Sequence, residues 1–178
     1  MNFKIDDRIS KKYFAGYDRN NDVKEIIVHA TAGGMTAQST IEWMLKGGDM
    51  GNGKNRATDY KKGVGTFHFI IDPSGEVTRI IDSDKWVYHS SSGSHDAVTI
   101  GIELVKPDSK NVTKPTDKQY LSLIDIIILL RKLYPTIDTI SSHDYNAHKY
   151  SNKPPKPCPG AFDWNKIKDN FSEVTVNE

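Results

Sequence analysis

Short β-branched apolar runs alternate with segments of helical spacing along this chain, and that alternation leaves few folds open to it. Glu25-Ile26-Ile27-Val28-His29-Ala30 reads as a buried strand ended by the small residues Thr31-Ala32-Gly33-Gly34. Thr36 to Lys46 reads as a helix, with Thr36 or Ser39 as cap and Ile41, Met44 and Leu45 at helical spacing. Phe67 to Ile71 is a second strand, stopped by the turn Asp72-Pro73-Ser74-Gly75, with Glu76 to Ile81 as its hairpin partner. Val98 to Val105 is a third. Thr116 to Tyr134 is the clearest helix, with Leu121, Ile124, Ile127, Ile128 and Leu130 expected inward and Pro135 marking its end. The pattern predicts an α/β fold, a single domain with a central mixed β-sheet flanked by helices.

Gly47 to Gly65 shows no periodicity and is rich in Gly, Lys and Asn; a loop of that length in a compact domain is expected to shape a site or to move. After Trp164 there is room for a helical turn or two, and no second domain is expected. A chain of 178 residues can bury roughly 70% of the surface its unfolded form exposes, enough for a stable core without disulfides.

Charge excludes some functions. With 24 basic and 23 acidic residues the net charge is +1, which gives no reason to expect a nucleic-acid partner. The apolar run near Ile126 to Leu130 is too short to span a bilayer, so no membrane insertion is expected. The first ten residues lack the apolar stretch of a secretory signal. The chain as written is expected to be made in a cytoplasm, as a monomer, and to need release if it acts outside.

Two histidines and the single cysteine are the candidates for chemistry. His29 sits near the end of the first strand, His143 follows the apolar stretch Ile137 to Ile140, and Cys158 lies among Pro154, Pro155, Pro157 and Pro159. Two imidazoles and a thiolate suit zinc and leave one tetrahedral position for water. The spacing is not a local motif, however, and a hydrogen-bonded structural histidine or a cysteine packed as a small hydrophobe fits the same residues.

Four segments resemble the type 2 N-acetylmuramoyl-L-alanine amidases, the zinc amidases related to phage lysozyme-type amidases and peptidoglycan recognition proteins. They are Ile26 to Ala32, Phe67 to Gly75, Thr99-Ile100-Gly101-Ile102-Glu103-Leu104, and Ser142-His143-Asp144 with Lys156-Pro157-Cys158-Pro159-Gly160-Ala161-Phe162-Asp163-Trp164. The resemblance runs in family order from about Val23 to Trp164. It implies an amidase/recognition-protein-like fold and one zinc ion held by His29, His143 and Cys158. It also implies Glu103 as general base, Lys156 as the cation steadying the oxyanion, and His89 as a substrate contact. A surface-loop histidine is the plainer reading of His89, and a buried ion pair the plainer reading of Glu103. Phe67 stands where the lysozyme-type branch has a catalytic tyrosine, so that role falls to Glu103. His68 is expected to be structural, and His95 and His148 to lie in loops.

The function implied is zinc-dependent hydrolysis of the amide between N-acetylmuramic acid and L-alanine in peptidoglycan, in a phage-type endolysin. A cytoplasmic enzyme recycling muropeptides, a non-catalytic peptidoglycan-binding module and a hydrolase for another amide are the alternatives.

Overall fold

A computed structural model describes residues 3–48, 56–90, 92–108, 110, 112–151 and 157–178. In chain order the elements are β1 (Lys4–Ile5), α1 (Arg8–Lys12), β2 (Tyr17–Asp18), β3 (Glu25–Ala30), α2 (Ala37–Leu45), α3 (Ala57–Tyr60), β4 (Phe69–Ile71), β5 (Val77–Arg79), β6 (Lys85–Trp86), α4 (Gly93–Asp96), β7 (Thr99–Leu104), α5 (Asp117–Leu133), β8 (Thr139–Ser142), α6 (His143–Ser151), α7 (Asn165–Lys168) and β9 (Thr175–Asn177).

Seven strands form one mixed sheet in the order β1-β5-β4-β7-β3-β8-β9. β4, β7, β3 and β8 run parallel, and β5 returns antiparallel beside β4. The central strands β3 and β7 are the longest and carry near-continuous apolar runs, as strands covered on both faces do. Side chains alternate between those faces. Ile26, Val28, Ile100, Ile102, Leu104, Phe69 and Ile71 pack with Leu123, Ile126, Ile127 and Leu130 of α5. On the opposite face Ile70 packs with Ile9, Ile41 and Met44 of α1 and α2. His29 and Glu103 share this second face, where the helices leave a cleft open.

Both strong helices begin as their sequences dictate. Thr36 and Ser39 form a reciprocal capping box at α2, and Thr116 and Gln119 do the same at α5. Three expectations need correction. Leu121 and Ile128 are not inward but 65% and 41% exposed. α5 is apolar on nearly every side, so its buried stripe through Tyr120, Leu123, Ile127 and Leu130 was set by the sheet it meets. The 47–65 loop contains the short helix α3. His95 and His148 lie in α4 and α6 rather than in loops.

Candidate active site

The parallel strands end at the same edge of the sheet, where open α/β sheets bind ligands. His29 is the penultimate residue of β3, and His143 follows directly on β8. β8 pairs with β3 so that Ser142 stands beside Val28, which brings His143 next to His29, ring centres 4.6 Å apart. Cys158 arrives from the far end of the chain. The amide of Asp144 donates to its carbonyl at 3.0 Å, and its thiol lies 4.0 Å from the carbonyl of Ala30. One ligand atom from each of His29, His143 and Cys158 lies within 4.8 Å of the others.

Two further anchors among the described residues hold the Cys158 segment. The buried Lys106 ammonium donates to the carbonyls of Pro159, at 2.8 Å, and Ala161, at 3.4 Å. Further on, the amide of Asp163 donates to the Tyr120 hydroxyl at 2.7 Å, and Phe162 packs between the rings of Tyr120 and Trp164. The Phe162-Asp163-Trp164 run thus works at a distance, clamping the segment to α5.

Glu103 lies on β7 directly across from His29 and lines the same cleft, together with Trp43, Arg56, Tyr60 and Phe67. The cleft holds about 730 Å³, in the range of a small-ligand site. Among the described residues no hydrogen bond or ion pair engages the Glu103 carboxylate, so the ion-pair reading has no support there. Burial pushes its pKa up to about 8, partly offset by the positive charge of Arg56. Burial also drives His29 well below its usual range, helped by the neighbouring His143 and His68. A neutral imidazole is the form that binds a metal.

His89 is buried and reaches the site from beneath. Its Nδ1 is 3.0 Å from His29 Nε2, and its Nε2 is 3.0 Å from the Thr99 hydroxyl. The carboxylate of Asp96 accepts from the amides of His89, at 3.0 Å, and Ser90, at 2.7 Å. His68 is structural, as expected: Nδ1 accepts from the Gly101 amide and Nε2 donates to the Lys85 carbonyl, both at 3.0 Å. His95 forms a pair with buried Glu25 at 2.9 Å, which also takes hydrogen bonds from Ser141 and Asn146. That network ties α4 to α6 behind the cleft, and sequence reasoning gave no sign of it. Arg56 was missed as well, within a segment read only as a loop. Lys156 lies outside the described residues.

The donor set fits zinc. Two nitrogens and a sulfur gathered within 4.8 Å of one another match its borderline-soft preference, and three such ligands among the described residues leave a position open.

The sequence pattern of the N-acetylmuramoyl-L-alanine amidases matches residues 19–161. No curated protein matches the chain by sequence. Among solved structures it is similar to AmpD, at 20% identity over 97% of this chain and 94% of that one, with a TM-score of 0.70. It is similar to the Staphylococcus aureus hydrolase AmiA at 15% identity, covering 97% and 82%, with a TM-score of 0.69. It is also similar to the endolysin amidase LysCS of Clostridium intestinale at 22% identity, covering 89% and 88%, with a TM-score of 0.61. At these identities the likeness is one of fold.

Proposed function

The chain belongs to the N-acetylmuramoyl-L-alanine amidase family, and from that premise we propose that it cleaves the muramoyl–alanine amide of peptidoglycan as a zinc enzyme. His29, His143 and Cys158 are the ligands in this reading and Glu103 the general base. The observation that carries it is the placement of a half-buried carboxylate, with no hydrogen-bond or ion-pair partner among the described residues, directly across one strand pair from His29, whose ligand atom clusters with those of His143 and Cys158. A structural acid would be expected to have a partner, because burying one alone is costly.

Zinc held there would polarise the scissile carbonyl and make water acidic enough to attack near neutral pH. The protein's own groups do the rest. Glu103 takes the water's proton and returns it to the departing alanine nitrogen. Lys156 is the proposed cation for the oxyanion. Trp43, Tyr60 and Phe67 give the cleft an apolar wall for the glycopeptide. The setting proposed is that of an endolysin acting on intact wall.

The test is digestion of purified sacculi and of soluble muropeptides, with metal analysis of the same sample. About one zinc per chain, new L-alanine amino groups and intact glycan strands are expected. New reducing sugar ends, or activity that survives removal of all metal, would overturn the reading. A preference for soluble fragments would assign it to recycling instead.

A further inference from the structure

We infer that His89 is a positioning residue that fixes which nitrogen His29 offers to the metal; the inference rests on the reading of His29 as a zinc ligand. The argument is the direction of three hydrogen bonds. The Thr99 hydroxyl has one proton, and it donates to the carbonyl of Asp96 at 3.3 Å. With that proton on the carbonyl side, Thr99 meets His89 Nε2, 3.0 Å away, as an acceptor, which assigns the His89 proton to Nε2. A neutral His89 then has a bare Nδ1. That nitrogen accepts from His29 Nε2 at 3.0 Å. His29 is left with Nε2 protonated and Nδ1 bare, so Nδ1 is the nitrogen free to bind an ion.

Each link in this chain is held separately. Asp96 fixes the His89 backbone through two amides. Gly101 makes room for the ring, since a Cβ there would stand 2.8 Å from His89 Nδ1. The ring lies in van der Waals reach of a strand that could carry no larger side chain without moving it. Such outer partners orient a ligating histidine and select its tautomer, and their loss usually weakens metal affinity ~10–100-fold.

The experiment measures zinc affinity by competition with a chelator, and ring nitrogen chemical shifts of His29 in the metal-free protein. In the parent, His29 should show a protonated Nε2 and a bare Nδ1. His89→Ala should mix the two tautomers and weaken zinc binding ~10–100-fold. His89→Asn, whose amide oxygen can accept near the position of Nδ1, should recover most of that loss. Thr99→Val, which leaves the ring in place but removes its acceptor, should mix the tautomers with a smaller loss.

A protonated Nδ1 on His29 in the parent would overturn the inference, as would a folded His89→Ala variant with parental zinc affinity. If the parent bound no zinc at all, the zinc reading itself would fall. The nitrogen shifts would still decide whether His89 sets the His29 tautomer.

Discussion

Glu103 stands directly across from His29 in the parallel pairing of β7 with β3, so the two side chains emerge side by side from one face of the sheet. Neither a lysine nor an arginine pairs with that carboxylate among the described residues, and Arg56 acts on it only as a nearby charge. Glu103→Gln should therefore hydrolyse wall about 10²–10⁴-fold more slowly while keeping its zinc and its melting temperature. Among the described residues no buried partner is stranded by the change. A variant that is folded, metal-loaded and nearly as fast as the parent removes Glu103 from the mechanism. A lowered melting temperature would point to a structural role instead.

The same carboxyl gives a stability signature in metal-free protein. Its pKa rises from the usual 4.5 to about 8 on folding, so the folded state binds the extra proton between those values. Stability from this group is full below about 4.5 and is lost as pH rises through 8. The buried His29, His68 and His89 act oppositely, since their pKa values fall below the usual 6.5. Their contribution is present above 6.5 and is lost on acidification. Between pH 6.5 and 8 the Glu103 effect should therefore show without opposition from these three histidines. Denaturation with chelator present should find the parent weakening across that window and Glu103→Gln holding level. Parallel curves for the two proteins would contradict the raised pKa. Added zinc should flatten the parent's slope, because a dication favours the ionised carboxylate.

What the sequence revealed follows from which forces are local. β3 and β7 were legible because β-branched runs closed by small residues specify a strand without reference to neighbours. The Thr36 and Ser39 box was legible because its partners are three residues apart. The inward face of α5 was not, because Leu121 and Ile128 are as apolar as the residues that pack. β1, β2, β6 and β9 are two or three residues long and exist only through their pairing partners. At the site, residue types alone nominated His29, His143 and Cys158, but the contact of His29 with His89 joins positions 60 apart in sequence. No spacing rule reports such a contact, nor the pairing of His95 with Glu25.

Cys158 offers a direct test of the ligand set. Serine is a poor replacement for a thiolate, whereas a carboxylate oxygen is an accepted zinc ligand. Cys158→Ser should lose most of its zinc and its activity, and Cys158→Asp should keep part of both. Metal content and turnover measured together decide it. Full zinc loading in the serine variant would mean that the third ligand lies elsewhere.

Lys106 tests whether the Cys158 segment needs its inner anchor. Its ammonium is buried, its pKa is lowered by that burial, and the negative charges of Asp108 and Cys158 work the other way. It donates to the carbonyls of Pro159 and Ala161, immediately beyond the thiol. The outer anchor, formed by Tyr120 with Asp163, Phe162 and Trp164, is separate and stays in place when Lys106 is changed. Lys106→Met keeps the length and apolar stem but leaves two carbonyls without this donor, an effect of roughly 1–3 kcal/mol for each carbonyl left unpaired. The sheet should still form, so the loss should appear as a looser Cys158 rather than an unfolded chain. The expected result is zinc affinity reduced about tenfold, within the range for partners that support a ligand from outside, with catalysis partly restored by excess zinc. Parental zinc affinity in a folded Lys106→Met protein would show that the cysteine is held without this inner anchor.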